Sequence, residues 1–261
     1  MHKAWIILSK EWRELLTERS LILSTLLPPL LLALMPVIIT FAVGQSPDDD
    51  ISELGGALAD PALAGLSTLE LGQAVIGRQF GLLLLLTPLI VPSVIASYSI
   101  VGEKTRRTLE PLLAAPIHSW ELLLGKSLVA LIPAVAITWV GAAIFVGGMA
   151  LVAVSPQVLA AIVSPGWLLA LILCTPSLAL IMIAACVAIS SRVNDPRTAQ
   201  QVSAVAVVPL LGLFFGQLVG VIVLSPAFAL GMAVILGVIA ALSVWGATGL
   251  FQRETILTRW G

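Results

Sequence analysis

The chain reads as an all-α polytopic membrane protein. Six transmembrane helices are expected, with an N-terminal amphipathic helix at the membrane surface and a short cytoplasmic helix. Three observations predict this. The 261 residues are 59% hydrophobic and only 10% charged, whereas a soluble domain is about 25% charged. The apolar residues gather in runs near the roughly 20 residues that cross a bilayer as a helix. Twelve of the 13 Lys and Arg residues fall in four polar segments, and a six-span reading puts all four on one side.

Those segments hold Lys3, Lys10, Arg13 and Arg19, then Lys104, Arg106, Arg107 and Lys126, then Arg192 and Arg197, and finally Arg253 and Arg259. Short loops rich in Lys and Arg stay in the cytoplasm, so both termini are predicted there. Only Arg78 falls on the other side, among Asp48, Asp49, Asp50, Glu53, Asp60 and Glu70.

Taken in order, residues 2–19 carry Trp5, Leu8, Trp12, Leu15 and Leu16 at helical spacing, with Lys10, Arg13, Glu14 and Glu18 largely off that stripe. Tryptophan favours the headgroup layer, so the segment is predicted to lie flat on the inner leaflet; a plain extension of the first span is the alternative. The spans follow at about 21–43, 80–101, 122–154, 167–189, 202–224 and 227–251. Past Lys126, at the mouth of the third, they hold no Asp, Glu, Lys, Arg or His. Pro28, Pro29, Pro36, Pro88, Pro92, Pro133, Pro176 and Pro209 lie within them and predict kinks that neighbouring helices and hydroxyls must satisfy. Residues 44–79 are expected as one acidic outer loop. A tight turn at Ser225-Pro226 joins the last two spans.

Several chemistries are excluded. No basic patch suits nucleic acid, and there is no zinc-binding His-Glu-x-x-His or Gly-x-Ser-x-Gly elbow. Gly125-Lys126-Ser127 has the tail of a phosphate loop, but the leading glycine position is Trp120 and no strand precedes it. Cys174 and Cys186 would lie about 18 Å apart along one helix, beyond the roughly 7 Å a disulfide allows. No metal site and no resident cofactor are expected. Ion-coupled transporters carry ionisable groups inside the bundle; here the polar groups in the spans are mostly hydroxyls, with Gln217 the one carboxamide. Ser93, Ser97 and Gln217 are the candidate path-lining groups, although helix-satisfying hydroxyls near Pro88 and Pro92 serve equally well as a reading of the two serines. Gly212, Gly216 and Gly220 recur every four residues and form a candidate helix–helix interface, within one subunit or between two.

The richest polar segment is 102–121, between the second and third spans. Thr108 can cap a short helix with Glu110 and Pro111 in its first turn; Pro116 stops it, and Ser119 caps the next span. Such a helix presents Glu103, Arg106, Arg107 and Glu110 to a soluble partner. In residues 190–201, Asp195 and Pro196 suit the start of the fifth span, with Arg192 and Arg197 as anchors or contacts.

The order Thr108-Leu109-Glu110, Leu112-Leu113, Pro116-Ile117, Gly125-Lys126 resembles the type-two permeases of ATP-binding-cassette (ABC) exporters. Arg107 stands where that family usually has glycine. The resemblance covers most of the chain and implies a single permease domain over 1–261. It makes 102–121 the coupling segment, with Glu103, Arg106, Arg107, Glu110 and Pro116 transmitting motion and no catalytic residue. It implies partner ABC ATPases that bind ATP and Mg, a second permease subunit, identical or related, and surrounding membrane lipids. It places the protein in a bacterial or archaeal inner membrane. An ATPase-independent transporter or channel and a non-transport membrane scaffold are the alternatives.

Overall fold

The computed structural model describes residues 17–45, 65–105, 119–190 and 204–250, together with Ser9, Trp12, Arg13, Leu63, Thr198 and Gln201. Its elements in chain order are α1 (Arg19–Gln45), α2 (Thr68–Leu83), a 3-10 turn (Leu84–Leu86), α3 (Thr87–Thr105), α4 (Ser119–Val152), α5 (Pro156–Ile162) and α6 (Pro165–Ser190). A second 3-10 turn (Ala204–Val207), α7 (Val208–Leu218) and α8 (Pro226–Leu250) complete it. Among the described residues there is no strand. Within those described residues, five helical stretches are long and apolar enough to cross a membrane: Arg19–Gly44, Thr68–Ser99, Leu124–Val152, Pro156–Ile189 and Pro226–Ala247.

Most of 2–19 lies outside the described residues. Thr17 is helical and its hydroxyl donates to the Arg13 carbonyl at 2.7 Å. The helix breaks at Glu18, whose carbonyl accepts from Leu21 and Ile22 and so begins α1. That break is where an interfacial segment would turn into the first span.

The second span differs from expectation. Thr68–Gln79 belong to α2, not to an outer loop over 44–79. A capping box starts the helix: the Ser67 hydroxyl accepts from the Glu70 amide, and the Glu70 carboxylate accepts from the Ser67 amide at 2.8 Å. These bonds satisfy amides that a helix start leaves orphaned. Ser67→Ala is therefore expected to cost about 1 kcal/mol. In a chain of this size that is a fall of roughly 2–4 °C in thermal midpoint, read by a thermal scan in detergent; an unchanged midpoint would show that the cap is energetically idle.

A 3-10 turn interrupts the span where α2 meets α3. Pro88 has no N–H for the Leu84 carbonyl four residues back. The Thr87 amide takes that carbonyl instead, in a 3-10 bond. The helix thus tightens for one turn without leaving a bare carbonyl in an apolar interior.

The expected span 202–224 ends earlier in the structure. Its described helical part stops at Leu218, short of the expected end at 224. Gly220 ends it, with φ +78°, a conformation that costs glycine little. The Gly220 amide bonds the Gln217 carbonyl and the Val221 amide bonds the Gly216 carbonyl, the paired bonds of a Schellman cap. The chain then doubles back, so that a Cβ on Gly216 would lie 2.6 Å from Ile222 Cδ1.

Three helices at this end start with Ser-Pro: Ser155-Pro156, Ser164-Pro165 and Ser225-Pro226. Proline suits the first helical position. Ser164 and Ser225 each accept an amide three residues on, from Trp167 at 3.3 Å and Phe228 at 3.2 Å.

The α2–α3 span is the most buried of the five and forms the centre of the bundle. α1, α4 and α6 pack around α3, α8 lies against α6, and α7 leans on α2. The α1–α4 crossing is close because Gly148 faces Val37; a Cβ there would sit 2.6 Å from a Val37 methyl. Small residues allow this approach where no hydrophobic effect draws helices together. Phe145, Met149, Ile162 and Trp167 fill the core beside Leu84, Leu85 and Leu89. α1 and α8 expose Leu23, Ile38, Phe41, Val234, Ile235 and Trp245, as surfaces that face lipid do.

Candidate functional site

The polar side chains of the bundle fall into three layers. The middle layer looks inward to its own helices. The Ser93 hydroxyl donates to the Ile90 carbonyl at 2.8 Å, and Thr138 donates to the Ala134 carbonyl at 2.6 Å. Thr175 makes a short bond of the same kind to Leu171. Ser97 reaches across to α6, its hydroxyl 3.9 Å from the Cys186 sulfur. Cys174 and Cys186 are buried free thiols.

At the end where α2 begins, polar groups join helices. Gln73 is fully buried. Its amide nitrogen donates to the Thr40 carbonyl at 3.3 Å, and its oxygen accepts from the Val154 amide at 3.0 Å. One carboxamide therefore ties α2 to α1 and to the chain after α4. About two turns along the same helix, Gln79 donates to the Phe214 carbonyl of α7 at 2.7 Å, and the Gly81 carbonyl accepts from the Trp167 indole at 2.9 Å. α2 is thus the hub of this end, bonded to four neighbouring parts of the chain.

At the opposite end lies a buried cation. Lys126 is 6% exposed, and its Nζ donates to the Ser99 hydroxyl at 2.9 Å and to the Ser99 carbonyl at 3.3 Å. These are the atoms of a Ser–Lys dyad, yet the same nitrogen donates to the carbonyl as well as the hydroxyl. A general base needs its lone pair turned to the hydroxyl proton. The pair ties α3 to α4 across the mouth of the segment 106–118.

The expected site residues fall as follows. Ser93 and Ser97 are buried within the subunit. Gln217 lies at the α2 end, near the close of α7, and its buried oxygen has no hydrogen-bond partner among the described residues. Ser97 is eighteen residues beyond Gln79 on the central span, about 27 Å of helical rise. The serines and Gln217 therefore sit at different depths. Of the three glycines, Gly212 has no atom within 4 Å of where its Cβ would be, Gly216 is covered by Ile222, and Gly220 lies in the turn outside α7. Glu103 is on the last turns of α3. Arg106, Arg107, Glu110 and Pro116 lie outside the described residues, as do Lys10 and Glu14.

Sequence reasoning missed Gln73, Gln79 and Trp167 as joining groups. The available signal was Ser67-Thr68-Leu69-Glu70, a capping-box pattern that marks a helix start and moves both glutamines inside a span.

The model of one family, described as ABC-2 family transporter protein, matches residues 5–243. The chain belongs to the ABC-2 transporter family. No curated protein matches it. As an ABC-2 protein with five described helical stretches able to cross a membrane, it is a multi-pass membrane protein and an ABC transporter permease subunit. Membership also implies partnership, in general, with ABC ATPase subunits. Among the described residues, the polar layers hold helices at set positions.

Proposed function

We propose that this chain is the membrane subunit of an ABC exporter and couples to ATP hydrolysis by a separate ATPase. The observation that carries the reading is the family match over residues 5–243, with α3 and α4 tied together on either side of the polar segment 106–118. Two such subunits, identical or related, pair in a bacterial or archaeal inner membrane with both termini in the cytoplasm. ATP with Mg binds in the partner. ATP binding closes the ATPase pair, and segment 102–121 carries that closure into α3 and α4 through Glu103, Arg106, Arg107, Glu110 and Pro116. A ligand shifts such an equilibrium only by its differential affinity for the two states, so ATP must favour the closed pair. Gly212 supplies open helix surface for the second subunit. Gln217 is the polar group offered to the path in this arrangement, and Ser93 and Ser97, buried within the subunit, would join it only on movement of α3.

The test is co-purification in mild detergent, with wild type beside Glu110→Lys, followed by mass spectrometry and an ATPase assay. An ABC ATPase is expected with wild type. Its recovery should fall roughly ten-fold in the variant, the size of effect when a carboxylate contact to a partner is reversed in charge. If no ATPase associates with wild type in several detergents and in lipid discs, the reading is wrong, and an ATPase-independent transporter or a membrane scaffold takes its place.

A further inference from the structure

Among the described polar residues that are buried, Lys126 is the one that carries a charge; the others are hydroxyls and carboxamides. Charge at membrane depth is costly and marks function unless a partner explains it. Two of its contacts are made to Ser99, one to the backbone and one to the side chain. A carbonyl and a hydroxyl on one residue hold the ammonium group in a single place. Directly beyond Lys126, Val129 and Ala130 are buried on α4, and Ile95 and Ala96 are buried on α3. The two helices are therefore packed on one side of this clasp.

On its other side the helices run on as short arms. α3 continues from Ser99 to Thr105, and α4 begins at Ser119, ahead of Lys126. Each arm is about 10 Å long. Residues 106–118 join the two arm tips. A push on that segment acts on both arms at once. With the clasp closed, the arms cannot splay, and the push moves α3 and α4 as one body. With it open, the same push spreads the arms and is spent locally. α3 leads through the 3-10 turn into α2, whose glutamines hold α1 and α7 at the far end.

We infer that Lys126 is a positioning residue that converts movement of segment 106–118 into movement of the central span, by locking α3 to α4 through Ser99. This rests on the exporter reading above. The measurement uses the permease–ATPase complex in lipid discs, with Cys174 and Cys186 replaced by alanine. Spin labels stand at Leu151 and Val221, both exposed at the end farthest from the clasp. The shift in their distance on adding ATP and vanadate is compared among wild type, Lys126→Met, Lys126→Arg and Ser99→Ala.

Lys126→Met is expected to keep its ATPase yet lose the far-end shift roughly five-fold, within the span that residues on a coupling route produce. Lys126→Arg should recover most of it, and Ser99→Ala, which keeps the carbonyl, should fall between. A merely structural lysine would lower the thermal midpoint and leave the shift per folded complex intact, and that result overturns the inference. So does a wild-type complex that holds its ATPase but shows no shift. Absence of any ATPase from the wild-type preparation overturns the exporter reading itself, and is seen before a label is read.

Discussion

Gly166→Ala is expected to abolish accumulation of the folded protein. A Cβ on Gly166 would lie 2.0 Å from the Leu224 carbonyl oxygen and 2.9 Å from the carbonyl carbons of Leu224 and Ser225. These are backbone atoms, so no side chain can swing aside. Leu224 and Ser225 also lead directly into α8, which packs chiefly on α6. To admit one methyl group, the start of α6 must separate from the start of α8. Overpacking commonly costs about 1–3 kcal/mol and more where backbone must move; the upper end or beyond is expected here. Fluorescence-detected size-exclusion chromatography of the tagged protein reads this directly. A monodisperse peak of wild-type height and midpoint would show that the turn before α8 yields freely, and that the close approach has no structural weight.

Trp167→Ala should be the most destabilising of the side-chain truncations in the bundle. Trp167 is 3% exposed and stacks at a tilt on Phe145, with ring centroids 6.0 Å apart. Its indole donates to the Gly81 carbonyl, and Gly81 leaves it room, since a Cβ there would approach the indole nitrogen to 3.1 Å. Truncating a core tryptophan to alanine costs about 3–5 kcal/mol in soluble proteins. In a bilayer the dispersion lost to the cavity remains. Trp167→Phe separates the parts: it keeps most of the ring and removes only the bond. An interhelical hydrogen bond in a membrane averages about 0.6 kcal/mol, so Phe should recover most of the stability. Equal losses for Ala and Phe, measured by thermal midpoint, would assign the energy to the hydrogen bond and refute the packing account.

The two positions have a common lesson. Neither was visible in the sequence, where Gly166 is one glycine among 21 and Trp167 opens a span as any interfacial tryptophan might. Both matter because of residues distant in the chain, Leu224 for one and Gly81 for the other. The same holds for Gln73. Polar residues between Thr68 and Gln79 read as loop because charge and amide groups are costly in lipid. The fold instead buries Gln73 against the Thr40 carbonyl and the Val154 amide, and the Gln79 amide nitrogen reaches the Phe214 carbonyl. Partners a long way off in sequence removed the penalty on which the loop reading was based.

Gly220 was misplaced for another reason. A glycine shortly before Ser225-Pro226 can end one helix before another begins, yet the expected fifth span of 202–224 runs past it. The four-residue spacing of Gly212, Gly216 and Gly220 favoured a continuous ridge, and the hydrophobicity of the whole stretch hid the break. An apolar run tells that the residues avoid water. It does not tell whether they do so as one helix or as a helix and a returning turn, because both bury the same side chains.

The sequence by itself determined that this is a helical membrane protein. Its apolar runs have the length of a bilayer, and the order of motifs between the second and third spans points to the ABC-2 family to which it belongs. Those properties depend on composition, length and local spacing, which are the same in any arrangement of the helices. Only the tertiary structure decided that α2 is the hub of one end and that α7 stops short. It alone brought Lys126 to Ser99 across the mouth of the segment 106–118. In a bundle, hydrophobicity drives every helix out of water alike and cannot choose its neighbours. That choice falls to close packing at small residues and to a few hydrogen bonds between groups far apart in the chain, and neither leaves a periodic mark on the sequence.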